Sequence, residues 1–582
     1  MFRIRLNSCR LSSYEITALI LSITAVIATY TRIYFGINFV DESYYVNLAY
    51  QYSLGAKPFV DDISPLLFGI LTFPFVKLYC WLIGSNDGII LFTRNLYFAF
   101  NILTASFVFL AIKNLVKWST ALLVALTCVV FIPFNIPNLS YNTLGSGFFT
   151  MGCFLGIWII LNRKNSTYLF FAGLCHSLAI FSYPILLFPS LIFIILVFFL
   201  VPSFQKLRAL LGYLLGGIPI ALLLAKLTLD AGLENVLISF KYARSLGYLS
   251  GWEKFSSIVK SLWTFYPYKV PILLFLFFLF SLITFIKLNH FAKFFLLFPL
   301  IPLPIAYSGY VQHCGCIFSI GYLFYYSLLA PYVLLLYCDR RVKIVFLLGW
   351  IPSFIAGLLT AYNSGNGYAN AGLLMVSSSI VTTIVLSEAY KFLVFKERNE
   401  QANKIQIIVA SLLIFILSYS QYNLPGVHNM VYLDAEIQKL NSKIDDGPFA
   451  GLYTTKEKKD YLAELSAQLK AVTRAGQKIL FYKNNFPAGY LVSSRRSALN
   501  VSFLVSPEYY TGEVRESVID YLRNHLENES VVAVKVERLL LWEYTSRKTS
   551  ESDFISRTIA ESKPEKIAAS KNFQIYQLNQ ED

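Results

Sequence analysis

The sequence predicts a polytopic α-helical membrane protein of about 13 transmembrane helices, with a small α/β domain at its C-terminal end. Three observations predict it. Of the 582 residues, 56% are hydrophobic and only 14% charged, whereas soluble domains carry about 25% charged residues. That balance excludes a water-soluble enzyme and a disordered chain alike. Apolar runs recur at the length of about 20 residues that a ~30 Å bilayer core demands of a helix. The charge, finally, is unevenly placed. Residues 425–582 hold 21 Lys+Arg and 21 Asp+Glu, so the preceding 424 hold 28 basic and 13 acidic side chains and the whole excess of +15. Cations gathered among apolar segments mark a membrane protein, not a nucleic-acid binder. Residues 1–424 therefore form the membrane body and 425–582 a separate domain.

The spans fall near Ile16–Phe35, Ile89–Ile112, Ser119–Phe134, Leu144–Leu161, Tyr168–Tyr183, Ile185–Val201 and Ala209–Leu229. They continue near Val270–Ile286, Phe294–Tyr307, Ile320–Tyr337, Val342–Thr360, Ala371–Tyr390 and Ile405–Tyr419. Leu66–Ile83, interrupted by Pro74 and Lys77, reads as a re-entrant or interfacial helix. The first run is too long for a signal peptide and reads as a retained anchor. Basic residues test the count. Arg3, Arg5, Arg10, Lys113, Lys117, Arg163, Lys164, Lys206 and Arg208 fall on one side under thirteen spans. So do Lys287, Lys293, Arg340, Arg341, Lys343, Lys391, Lys396, Arg398 and Lys404. The N-terminus is thus expected in the cytoplasm and residues 425–582 outside.

The outer loops carry Asp41, Glu42, Asp61, Asp62, Asp87, Asp230, Glu234 and Glu253. The first runs from Gly36 to Gly88 and opens with Asn38-Phe39-Val40-Asp41-Glu42-Ser43-Tyr44-Tyr45, where the first helix leaves the membrane. Tyr45 to Leu54 reads as a Tyr-rich amphipathic helix in the interface. A carboxylate beside low-dielectric lipid suits a general base, because poor solvation raises its pKa. Read structurally, the same pair only marks the membrane boundary. The second long loop, Asp230 to Tyr268, holds Lys241, Arg244, Lys254 and Lys260 among Tyr242, Tyr248 and Trp252. Outer cations run against the usual bias; they suit an anionic lipid phosphate, or snorkel to the headgroups. Arg94, an intramembrane charge near the outer end of the second span, is a functional candidate by position. His313-Cys314-Gly315-Cys316 offers three close ligands without a partner pair, a weak metal signal. Asn363–Tyr368 is a polar turn.

An Asp-Glu pair after the first span, a tyrosine-rich helix, the Gly55-Ala56-Lys57-Pro58 turn, a helix begun at Pro65-Leu66 and an arginine in the next span form a series. That series resembles the GT-C superfamily of membrane glycosyltransferases. The likeness is to the bacterial branch of protein O-mannosyltransferase-like and aminoarabinose-transferase-like enzymes, which Ser140-Tyr141-Asn142-Thr143-Leu144 also resembles. It is architectural over Met1–Tyr422, and residue-specific only within residues 1–100 and Ser140–Leu144. The resemblance implies a GT-C-like catalytic domain in a bacterial inner membrane. It implies transfer of a hexosyl or pentosyl unit from a polyprenyl-phosphate donor to a hydroxyl of a lipid, glycan or protein acceptor on the extracytoplasmic side. Carried over, Asp41 is the catalytic base, with Glu42 beside it in the site. Lys57, Arg94, Lys241 and Arg244 are candidates for the donor phosphate. Tyr44, Tyr45, Asp61, Asp62, Tyr141 and Asn142 are candidates for the substrate loop. One base acting on a direct displacement implies inversion at the anomeric carbon. Ile63-Ser64-Pro65-Leu66 replaces the basic or His-Pro pattern usual before the re-entrant helix. Some members use a divalent metal (Mg or Mn) and others none, and the residues leave both open. The alternative is a lipid-linked-sugar or polysaccharide transporter, for which no internal repeat is evident.

Beyond Pro425 helical periodicity covers Val431–Ile444, Lys456–Ala475 and Val514–Leu526, and β-rich runs cover Lys478–Tyr482, Ser530–Val536 and Phe573–Leu578. No phosphate-loop or triad pattern appears there. Acceptor recognition, support of the active-site loops, or a structural cap are the expected roles.

Overall fold

A computed structural model of the chain describes residues 11–245, 256, 315–336, 339–364, 367–395, 400–422, 434–474, 476–501, 503, 510, 512–540 and 554–578. The first helix, α1 (Ser13–Arg32), is capped by Glu15, which accepts from the Ser12 amide at 3.0 Å. It buries Ala18, Ser22, Ala25 and Thr29 and exposes Ile16, Ile20, Ile23 and Ile27. Small residues inward and branched apolar residues outward suit a helix whose outer solvent is lipid.

There follow α2 (Asp41–Ser53), α3 (Phe68–Ile83), α4 (Ile89–Ile112), α5 (Trp118–Ala125), α6 (Thr127–Val130) and α7 (Tyr141–Leu161). Next come α8 (Leu169–Ser182), α9 (Leu187–Leu200), α10 (Lys206–Ala231) and α11 (Leu233–Ser245). Then come α12 (Gly315–Ser327), α13 (Leu329–Leu336), α14 (Arg340–Asn363), α15 (Val376–Phe395) and α16 (Glu400–Ser420). Among the described residues five helices are long and apolar enough to cross a membrane: Ser13–Arg32, Ile89–Ile112, Tyr141–Leu161, Ser203–Ala231 and Arg340–Asn363. Shorter apolar helices accompany them. Of the thirteen predicted spans, Val270–Ile286 and Phe294–Tyr307 lie outside the described residues, as do Tyr248, Trp252, Glu253, Lys254, Lys260, His313 and Cys314.

Several predicted spans are shorter or broken, and proline explains two of them. Tyr183 is extended (φ −144°) because Pro184 follows it, so α8 ends there and α9 starts afresh. The run Ser119–Phe134 stops being helical at Phe131, two residues before Pro133. Leu66–Ile83, expected as a re-entrant or interfacial element, becomes α3. It buries Phe68, Gly69, Thr72 and Val76 and exposes Phe75, Leu78, Trp81, Leu82 and Ile83.

The bundle has two distinct ends. Lys117 Nζ donates to the Tyr14 hydroxyl at 2.7 Å and Trp118 Nε1 to Glu15 Oε1 at 3.1 Å, so the turn after α4 sits at the start of α1. The described residues between 434 and 578 sit at the opposite end as a cap. Gly36 N–H donates to Tyr453 O at 2.8 Å, Ala488 N–H to Phe39 O at 3.2 Å and Asn86 Nδ2 to Leu491 O at 2.7 Å.

The cap carries the two-stranded pair β1 (Ser442–Lys443) and β2 (Tyr453–Thr454), then α17 (Lys456–Val472). A four-stranded sheet follows: β3 (Lys478–Tyr482), β4 (Val531–Val536), β5 (Glu565–Ala569) and β6 (Phe573–Leu578), in the order β3-β4-β6-β5. Strands β3 and β4 are parallel, joined through α18 (Pro487–Ser493) and α19 (Glu513–Asn528). Helix α20 (Phe554–Glu561) precedes β5. Of the helix expected over Val431–Ile444, the described residues 434–444 form instead a short turn of 3₁₀ helix at Ile437–Lys439 followed by β1. Residues Ile37, Phe39, Val46, Tyr50, Ile89 and Ile90 of the body share one hydrophobic core with Phe449, Tyr461, Ile479 and Phe481 of the cap. Helix α2 is therefore buried on nearly every face from Glu42 to Tyr52. An amphipathic helix in the interface was expected there; the cap covers the face that would have met water.

Candidate active site

Helix α1 ends inside the protein, where its last carbonyls accept from the amides of Ile33, Tyr34 and Phe35. Two buried arginines hold carbonyls of the segment that follows. Arg32 donates to Phe35 O at 2.7 Å, Gln421 O at 3.2 Å and Asn135 O at 3.3 Å. Arg94, on α4, donates to Ile33 O at 2.5 Å and Gly36 O at 2.7 Å. Its remaining edge grips Glu42 bidentately, with Nε on Oε1 and Nη2 on Oε2, both at 2.7 Å. Each of the two residues is 1% exposed. Asn138 Nδ2 completes the network at 3.1 Å from Glu42 Oε1 and 3.0 Å from Thr93 Oγ1. Glu42 is thus a fastener. It pins the start of α2 to α4 and so fixes the residue before it, Asp41.

Asp41 is the first residue of α2 and is half-buried. Its carboxylate sits at the positive end of the helix dipole and within electrostatic reach of the Tyr141 hydroxyl. Tyr141 begins α7, placed by Ser140, whose Oγ caps the helix through the Thr143 amide at 3.2 Å. The Tyr141 ring lies 6.0 Å from Tyr45, 6.1 Å from Phe68 and 5.0 Å from Tyr183, all tilted or edge-on. Phe503 of the cap adds a ring 5.0 Å from Tyr44. On the two segments that meet at Asp41, Asn38 Nδ2 and Asn142 Oδ1 are buried and lack hydrogen-bond partners among the described residues. The site therefore pairs one carboxylate with aromatic walls and an unspent amide donor and acceptor. Among the described residues no three His, Cys, Asp or Glu side chains come together as a metal cradle.

The remaining candidates lie elsewhere. Asp61 is held by the cap, accepting from Arg496 Nη2 at 2.8 Å and the Tyr521 hydroxyl at 2.6 Å, and it also accepts from the Lys57 amide at 2.7 Å. Asp62 is buried and accepts from the Ser64 amide at 2.8 Å. Burial, and then its charge, push the Tyr44 and Tyr52 hydroxyls well above the usual phenol range. Tyr44 donates to Ser64 Oγ at 3.1 Å. Lys241 pairs with Glu513 of the cap. Lys57 and Arg244 are exposed at the surface. The structure brings together Asp41, Tyr45, Tyr141 and Asn142; of the four cations expected at the phosphate, it commits Arg94 to Glu42 and Lys241 to Glu513. Asn38, Asn138, Tyr183 and Phe503 were not singled out by sequence. Asn38 stands in the Asp-Glu motif itself, and Asn138 just precedes Ser140, but nothing in the sequence marks Tyr183 or Phe503. Compared with protein-family models the chain finds no match, and compared with characterised proteins it finds none either.

Proposed function

We propose that the chain is a membrane glycosyltransferase that moves a sugar from a polyprenyl-phosphate donor to an acceptor hydroxyl. The observation that carries this reading is the division of labour within Asp41-Glu42. Glu42 is spent on Arg94, while Asp41 stands half-buried beside Tyr141 in an aromatic-walled site under the cap. Asp41 takes the proton of the acceptor hydroxyl as its oxygen bonds to the anomeric carbon. The bond from that carbon to the phosphate oxygen breaks, and the polyprenyl phosphate leaves with the electron pair, inverting the centre. Tyr45 and Tyr141 flank the sugar, and Asn38 and Asn142 supply hydrogen bonds to its hydroxyls. In this reading the thirteen-span topology holds, the N-terminus is cytoplasmic, and the cap lies outside a bacterial inner membrane. The turn after α4, whose Lys117 sits at the start of α1, supports that orientation.

Purified protein given radiolabelled polyprenyl-phosphate sugars tests the reading. Asp41→Asn should lower transfer by at least about a hundredfold, the size of a lost general base. Transfer that survives the substitution intact sinks it. The alternative is a lipid-linked-sugar transporter, although the pocket lined by Tyr97, Asn101, Thr104, Phe131, Thr143 and Ser146 is largely apolar and holds only about 20 Å³. Movement of the labelled lipid across proteoliposomes without any product would decide for it.

A further inference from the structure

Where the end of α18 meets α2 and α3, the cap presents a cation that the body does not neutralise. Arg495 follows Ser494, whose Oγ donates to Asn86 Oδ1 at 3.2 Å just beyond the end of α3. Its backbone carbonyl accepts from Gln51 Nε2 at 3.0 Å, near the end of α2. The side chain is half-buried, its Nε is sealed from water without a hydrogen-bond partner, and no carboxylate among the described residues pairs with it. The neighbouring Arg496, by contrast, is spent on Asp61. Tyr50 of α2 lies within electrostatic reach of both the Arg495 guanidinium and the Cys80 thiol in the second half of α3. That half of α3 exposes Leu78, Trp81, Leu82 and Ile83, with Trp81 75% exposed, and Lys77 stands exposed on the same helix.

A partly desolvated guanidinium without a counter-ion is expensive to keep. An apolar helix face bordered by cations, with a tryptophan near its end, matches the outer boundary of a bilayer. We propose that α3 lies in the membrane surface and that Arg495 holds the phosphate of an anionic phospholipid beside it. The acyl chains cover Leu78, Leu82 and Ile83, and the guanidinium forks onto two phosphate oxygens. Lys77 adds attraction at the headgroup level. The site lies at the far end of α2 from Asp41, about 15 Å along the helix at 1.5 Å per residue. It is therefore a place where the cap is tethered to the bilayer and not a donor site.

Native mass spectrometry of the full chain in detergent, titrated with phosphatidylglycerol or phosphatidylcholine, tests this. The unaltered chain should bind phosphatidylglycerol more tightly. Arg495→Gln should weaken the tightest phosphatidylglycerol site about fivefold, the worth of one cation near a lipid surface, and leave phosphatidylcholine unchanged. Arg495→Lys should fall between. Equal retention of phosphatidylglycerol by Arg495→Gln overturns the proposal. So does its displacement by millimolar inorganic phosphate, which would make the pocket a free-anion site. Should Arg495→Gln not fold, the comparison of the two lipids on the unaltered chain decides: no preference for phosphatidylglycerol rejects it.

Discussion

Glu42 and Arg94 are tolerable in the interior only as a pair, because an isolated buried charge costs several kcal/mol. Glu42→Gln leaves the Arg94 cation uncompensated and should lower stability by about 3–5 kcal/mol, read as a lower midpoint of thermal unfolding in detergent. Arg94→Lys should not rescue the fold. One ammonium cannot fork onto both carboxylate oxygens and also hold Ile33 O and Gly36 O. Glu42→Gln with Arg94→Gln should cost less than the two single changes added together, since the partners are in contact. Additive losses would mean that the two side chains act separately. At this scale the sequence is informative but incomplete. Asp41 and Glu42 stand out as adjacent carboxylates where the first apolar run ends. Nothing local says which of them is fastened, because that depends on Arg94, fifty-two positions along, and on Asn138 in the next outer turn.

Helices α8 and α10 pack on their glycines. A Cβ added to Gly173 would stand 2.0 Å from Tyr213 O, and one added to Gly216 would stand 2.1 Å from Phe170 O. In both cases the obstacle is backbone, so the helices must part. Gly217, one residue on, would meet only Ser177 Oγ, at 3.0 Å. Gly173→Ala and Gly216→Ala should each cost about 1–3 kcal/mol, the usual price of overpacking, whereas Gly217→Ala should be close to neutral. The comparison is made by thermal unfolding of the three variants, and equal effects would refute close backbone contact as the cause. These apolar runs are legible because lipid dictates their composition, and their breaks are legible where proline causes them, as at Pro184. Strands β3 and β6 are read from their β-branched and aromatic residues. Strand β5 escapes because Glu565-Lys566-Ile567-Ala568-Ala569 is a mostly exposed edge that pairs with β6 and packs only Ala568 on the core. The full burial of α2 escapes for a different reason: its cover is made by residues more than 400 positions away.

Across the whole molecule, the cap and body are joined by one chain of titratable groups. Asp61 of the body accepts from Arg496 and Tyr521 of the cap. The Tyr521 ring stands edge-on to His525 at 4.5 Å, and His525 lies against Lys478, 2.9 Å from Nε2, and Glu529, 3.4 Å from Nδ1. Burial first, and then the charges of Lys478 and Arg496, hold the His525 pKa below its ordinary value of 6.5; Glu529 and Asp61 pull the other way. Apart from Asp61, which raises it, these influences come from the cap itself, so the folded cap takes up this proton less readily than the unfolded one. Stability of the cap is fully present above pH 6.5 and is lost as pH falls below it, by no more than about 1.4 kcal/mol per pH unit for one proton. Limited proteolysis of the full chain between pH 8 and pH 5 should show cleavage in the cap rising below about pH 6.5. His525→Gln keeps a neutral side chain in place and should flatten that rise. A rise that persists in the variant assigns the effect to the carboxylates, and a flat profile in the unaltered chain means that His525 does not govern the stability of the cap.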